Sequence, residues 1–110
     1  MSAATPLRGQ VFRVDIGNIG PKPYVVVSNN QRNRLLDSVL AARITSSDKS
    51  RVPTAVPLGH DDPLVGYALA DEIVELFKDE LEAAQYLGAL APGTVLSLND
   101  ALKQALGIGT

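Results

Sequence analysis

Two short runs rich in β-branched residues, separated by a polar basic stretch, constrain this chain more than anything else in it. Residues 21–28 read Pro21-Lys22-Pro23-Tyr24-Val25-Val26-Val27-Ser28, and residues 38–46 read Ser38-Val39-Leu40-Ala41-Ala42-Arg43-Ile44-Thr45-Ser46. The valine run, bounded by Pro on one side and Ser and Asn on the other, predicts a strand. The second run is of strand length and closes on a pair of hydroxyls. Between them Asn29, Asn30, Arg32, Asn33 and Arg34 predict a loop or one short helical turn, which Leu35 and Leu36 are expected to anchor to the core. Two buried strands thus carry a lysine where the first begins and a threonine where the second ends.

The remaining chain supplies more strands and then a helix. Phe12, Val14 and Ile16 alternate with Arg13 and Asp15, the pattern of a half-buried strand over 8–16. Gly, Asn and Pro make 17–21 a turn. Residues 46–51 are polar and mobile by composition. Residues 52–58 hold Pro53 and Pro57, which suits an edge strand, since Pro donates nothing to a ladder. Residues 59–63 form another turn, 65–74 a strand with Gly66 at a bulge, 77–84 a short helix, and 86–90 a return to the sheet. In the last segment Pro92 suits a helix start and Gly107 a stop, with Val95, Leu98, Leu102 and Ala105/Leu106 on one stripe. This order predicts one domain over 1–110: mainly β with α, a small antiparallel barrel or curled sheet with helices packed outside.

Charge separates along the chain although the net charge is only −2. Residues 1–60 hold eight Lys and Arg against three Asp, a net +5, and residues 61–110 hold two Lys against nine acids, a net −7. A basic half concentrated on strand ends and loops is able to form a local phosphate-binding face. No run reaches the roughly 18 apolar residues of a membrane span, and residues 1–6 lack the charged and apolar regions of a secretory signal. The chain has no Cys, which excludes disulfides and thiolate zinc sites and fits a reducing cytosol. One His and no Cys give no ordinary metal site, and none is expected. At 110 residues the core is thin, which favours association with another copy.

Most familiar catalytic arrangements are missing. His60 is the only histidine and sits in a turn-like Gly59-His60-Asp61-Asp62 with no nucleophile motif nearby. A two-histidine ribonuclease mechanism is therefore excluded within one chain. Asp61 and Asp62 could bind a cation, but two acids in a turn are weak evidence for such a site. Cations and hydroxyls remain. Cleaving RNA with them requires a proton acceptor for the 2′-hydroxyl, charge stabilisation at phosphorus and a proton donor to the leaving oxygen. A lysine serves as acceptor once burial or a neighbouring cation lowers its pKa, and hydroxyls hold phosphate oxygens. By residue type alone, a lysine before a strand is more often an ordinary solvated side chain.

Five stretches in order resemble the MazF/Kid (PemK) family of toxin endoribonucleases from toxin–antitoxin systems. They are Arg8-Gly9-Gln10-Val11-Phe12-Arg13-Val14-Asp15, Lys22-Pro23-Tyr24-Val25-Val26-Val27-Ser28-Asn29 with Asn33 following, residues 39–46, Ala68-Leu69-Ala70-Asp71-Glu72-Ile73, and Gly88-Ala89-Leu90-Ala91-Pro92. The resemblance implies an SH3-like barrel, a homodimer, and metal-independent cleavage of single-stranded RNA at short sequence motifs, leaving a 2′,3′-cyclic phosphate and a 5′-hydroxyl. It also implies a cognate antitoxin whose acidic disordered tail fills the RNA groove. The family's catalytic Arg corresponds to Lys22 and its catalytic Thr to Thr45.

Three departures bear on chemistry. Lys22 lacks the planar two-pronged contact of an Arg, and Arg43, two residues before Thr45 and so on the same strand face, is positioned to supply it. The turn over 17–21 is shorter than the family's RNA-reaching loop. Glu72 replaces the usual Gln, and Leu69 stands where Kid has a catalytic-site Arg; Asp71 remains, either for proton chemistry or as a partner for a nearby cation. The expected site has Thr45 and Ser46 on the scissile phosphate, Lys22 and Arg43 stabilising its charge, and Asn29, Arg32, Arg34, Lys49 and Arg51 along the flanking backbone, with Tyr24 the nearest aromatic for stacking. Two other functions share the implied fold: a CcdB-like poison of DNA gyrase, and a catalytically weak barrel that binds only RNA or antitoxin.

Overall fold

The computed structural model describes residues 5–17 and 19–109. Residues 1–4 of the segment read for a secretory signal, Asn18 of the first turn, and Thr110 lie outside the described residues. β1 (Gln10–Asp15) and β2 (Pro21–Val26) form an antiparallel hairpin that sets Val11 opposite Val25 and Val14 opposite Lys22. A six-residue helix, α1 (Asn30–Leu35), leads into β3 (Ser38–Thr45), which pairs with β2 so that Tyr24 faces Arg43. On its other side β3 pairs with the long β5 (Tyr67–Phe77), and the short β4 (Ala55–Pro57) lies outside β5 as an edge. α2 (Lys78–Glu82) turns the chain into β6 (Gln85–Ala89), the opposite edge beside β1, and α3 (Pro92–Leu106) follows. The order across the sheet is β4-β5-β3-β2-β1-β6.

Among the described residues the two edges do not hydrogen-bond to each other, so the sheet is barrel-like but not closed. α3 packs on β4 and β5, and its entrance is tied to β1 by the Leu90 N–H donating to the Gly9 carbonyl. Both faces of the sheet are covered. Val11, Val25, Ala42, Ile44, Val56 and Ala68 pack with Leu98 and Ala101 of α3. Val14, Tyr24, Val26, Val39, Ala41 and Leu76 pack with Leu81 of α2 on the other face. Double coverage explains why β2 and β3 read as continuous apolar runs.

The anchoring of α1 differs from expectation. Leu35 and Leu36 are 75% and 47% exposed, whereas Asn33 is fully buried. Its amide donates to the Ser28 carbonyl and its oxygen accepts the Ser28 hydroxyl, which in turn accepts the Leu40 N–H. A six-residue helix has too few apolar positions to form a stripe, so a satisfied polar pair does the anchoring. The segment after β3, polar enough to suggest a free loop, is stapled instead. Asp48 accepts from the Ser50 N–H and the Tyr67 hydroxyl, and Thr54 donates to Asp71 at 2.7 Å.

Candidate active site

β1, β2 and β3 end side by side, and their ends build one hollow. Tyr24 faces Arg43 across β2 and β3, and Lys22 and Thr45, each two residues further along its strand, line the same hollow. On the other side of β2, Arg13 of β1 faces Pro23. Arg13, Lys22, Arg43, Thr45 and Ser46 line a hollow of about 340 Å³ together with Pro21, Pro23, Ile44, Leu64 and Val65. Three cations and two hydroxyls line it and no carboxylate does, so it is an anion site by composition.

The donors are arranged with capacity to spare. Thr45 Oγ1 accepts the Ser47 N–H at 3.2 Å, leaving its own proton free to donate. Arg43 is held by Glu72 at 3.6 Å, with the two side chains 35% and 50% exposed. That contact is too long for a hydrogen bond and of the kind worth at most about 1 kcal/mol. Arg43 Nε is buried with no acceptor among the described residues. Burial raises the pKa of the Tyr24 hydroxyl, with Arg43 opposing and Glu72 adding to the shift, so the phenol stays neutral beside the guanidinium.

The residues expected along the flanking backbone divide. Lys49 and Arg51 lie on the loop that leaves Thr45, outside the lining of the hollow. Asn29, Arg32 and Arg34 belong to α1 at the Ser38 end of β3, roughly 23 Å of strand rise from Thr45. There Asn29 Oδ1 caps α1 by accepting the Arg32 N–H, and Arg32 Nη1 donates to the Ser38 carbonyl at 2.8 Å. Tyr24 is 3% exposed and packed in the core, which rules it out as a stacking platform. Asp71 accepts the Thr54 hydroxyl rather than facing a cation, and it is the neighbouring Glu72 that meets Arg43.

One residue of the hollow, Arg13, and one acid outside it, Asp62, escaped the sequence reading. Arg13 sits on the polar side of an alternating strand, which reads as solvent-facing; the β1–β2 register brings it opposite Pro23. Asp62 reads as a turn acid. Its carboxylate accepts from the Gly59 N–H at 2.7 Å, the Ala91 N–H at 2.7 Å and the Thr94 hydroxyl at 2.8 Å. Partial burial alone would raise its pKa, but these three hydrogen bonds outweigh burial and hold it below the usual value. Asp62 thereby ties its own turn to the start of α3, whose N-cap, Ala91, makes no side-chain cap hydrogen bond. Among the described residues no cluster of three or more His, Asp or Glu is placed to hold a metal ion, and no helix is long and apolar enough to cross a membrane.

Comparison with known proteins agrees with this architecture. "Endoribonuclease MazF4" of Mycobacterium tuberculosis is 50% identical over 103 residues, 94% of either chain, and "Endoribonuclease MazF1" of Mycobacterium bovis matches to the same extent. A mycobacterial endoribonuclease solved in complex with its cognate antitoxin superposes with a TM-score of 0.89 at 48% identity, covering 96% of this chain and 98% of that one. A MazE–MazF complex from Deinococcus radiodurans, 22% identical, shares the fold with a TM-score of 0.82 over 97% of this chain and all of that one. The model of the PemK-like, MazF-like toxins of type II toxin–antitoxin systems matches residues 7–106, and the chain belongs to that family.

Proposed function

We propose that the protein is the toxin of a toxin–antitoxin pair and acts as a metal-independent, sequence-specific endoribonuclease on single-stranded RNA. The observation that carries this reading is the shared hollow of Lys22, Arg43, Thr45 and Ser46 in a chain half identical to mycobacterial endoribonucleases. In this reading the 2′-oxygen attacks the adjacent phosphorus as its proton leaves. The bond to the 5′-oxygen breaks and that oxygen gains a proton, giving a 2′,3′-cyclic phosphate and a 5′-hydroxyl. Thr45 and Ser46 hold the non-bridging oxygens, and Lys22 and Arg43, joined by Arg13, stabilise the charge that builds on them. Preorganised donors aimed at developing charge are commonly the largest single term in such catalysis.

Arg43 is suited to supply the guanidinium that Lys22 does not provide, because its side chain lines the hollow and its contact with Glu72 is weak. A cytoplasmic homodimer restrained by a cognate antitoxin with an acidic disordered tail completes the proposal; such a tail complements the basic hollow. The relatives' names favour the nuclease over a gyrase poison. The test is to incubate the pure protein with a long single-stranded RNA in EDTA and analyse the ends. Discrete cuts bearing 2′,3′-cyclic phosphate are expected. Retention of RNA without cuts overturns the nuclease in favour of a binder, and cuts that vanish with EDTA overturn metal independence.

A further inference from the structure

The hollow has a second side that phosphate chemistry does not use. Leu64 and Val65, carried on the loop over 58–66 between β4 and β5, line the same hollow. Val65 is 90% exposed, the highest value among the exposed large apolar side chains. A lone exposed valine is common on protein surfaces; one that is fixed in place beside an anion site is not.

Four contacts fix it. The Leu58 N–H donates to the Gly66 carbonyl at 2.9 Å and closes the loop at its base. Asp62 pins the middle of the loop to the start of α3 through Ala91 and Thr94. Pro63 lies against Gly88 of β6, where a Cβ would come within 3.1 Å of the ring, so the loop reaches from one edge of the sheet to the other. Gly66, at φ +135°, lies so close to Thr45 that a Cβ there would fall 2.2 Å from the Thr45 carbonyl oxygen. That approach admits only glycine, and it sets Val65 at a fixed offset from the strand end carrying the phosphate-facing hydroxyl.

We infer that Val65, backed by Leu64, is a specificity-determining contact for the base or ribose of the nucleotide next to the scissile phosphate. The inference rests on the nuclease reading above. A nucleotide is itself two-sided, anionic at phosphate and flat and apolar on the faces of its base, and a hollow of about 340 Å³ lies at the small end of single-ligand sites. An apolar ledge offers no hydrogen-bond code, so it discriminates by shape and contact area. Preorganisation by the four anchors keeps the ordering cost of that contact low.

The experiment is cleavage of an RNA pool randomised around the cut, with sequencing of the ends, using wild type, Val65→Ala, Val65→Thr and Lys22→Ala. Val65→Ala should weaken the nucleotide preference at one position flanking the cut by up to about tenfold, the low end for losing a methylene-sized contact. Val65→Thr keeps the shape and should retain most of that preference. Lys22→Ala should slow all sites together and leave the preferences intact. Wild-type cleavage with unchanged preferences in both Val65 variants overturns the ledge and leaves the nuclease standing. No cleavage by wild type overturns the nuclease and the ledge with it. Val65 is on the surface, so loss of folding is not expected, and a melting curve for each variant confirms that preferences are compared between folded proteins.

Discussion

At its Ser38 end β3 is surrounded by polar groups that complete one another. The Ser38 hydroxyl donates to Glu75, Arg32 donates to the Ser38 carbonyl, and Ser28 and Asn33 exchange two hydrogen bonds beside Leu40. At its Thr45 end the same residue types are left with capacity: among the described residues Thr45 Oγ1 receives a hydrogen bond and gives none, and Arg43 has only the 3.6 Å contact with Glu72. Both ends hold arginines, hydroxyls and a carboxylate. What separates a structural end from a functional one is whether the donors are already matched, since a satisfied buried network stabilises the fold while an unmatched cluster of cations awaits an anion.

The largest expected effect follows from the unmatched end. Lys22→Ala and Thr45→Ala should each lower cleavage by about 100-fold or more, as loss of one preorganised charge-stabilising group does, with melting temperatures within a few degrees of wild type. A fall in activity that tracks a fall in melting temperature would remove the distinction between the ends. The matched end should behave in the opposite way. Asn33→Ala removes both hydrogen bonds that Asn33 makes to Ser28 from a fully buried site, leaving the Ser28 carbonyl without that donor while its hydroxyl keeps the Leu40 N–H, which costs about 2–3 kcal/mol. That is roughly 10 °C at about 4 °C per kcal/mol for a chain of this size, while the folded fraction should cleave normally per molecule.

Why one end was readable and the other was not follows from particular residues. Val25-Val26-Val27, the prolines around β4, and Pro92 with Gly107 signal their elements through local backbone preference, and all these elements form as expected. Lys22 and Thr45 line one hollow because antiparallel pairing of two recognisable strands brings their ends side by side. Leu35 and Leu36 misled because apolar character says nothing of direction on a one-and-a-half-turn helix. Asn33 and Asp62 were opaque because their partners, Ser28 and Leu40 in one case and Ala91 and Thr94 in the other, are set by tertiary structure. Arg13 was hidden by its own strand's alternation.

A smaller effect concerns the brace of the hollow's apolar wall. Asp62→Ala removes the acceptor of the Gly59 N–H, the Ala91 N–H and the Thr94 hydroxyl, a loss of about 1 kcal/mol, and should lower the melting temperature by a few degrees at neutral pH. The folded-state pKa of Asp62 is depressed, so its contribution is present above the unfolded carboxyl value and is lost as pH falls through the folded one. The gap in melting temperature between wild type and variant should therefore close in acid; a gap that persists there assigns the loss to packing instead. The smallest effect belongs to the matched end's exposed cation. Arg34→Ala should leave the maximal cleavage rate unchanged and lower the log–log salt slope of RNA affinity by at most about 0.7, the share of one phosphate contact on a single strand. An unchanged slope makes Arg34 a solvated side chain of α1.

The difference between the two ends of β3 is read most directly by titrating the protein with an RNA made uncleavable by a 2′-deoxy substitution at the cut and following backbone amide shifts by NMR. The account predicts that the largest changes fall on residues 13, 22, 43–47 and 64–66, with residues 28–34 and 38–40 nearly still. Shifts concentrated on α1 and the Ser38 end, with Thr45 and Ser46 unmoved, would contradict it.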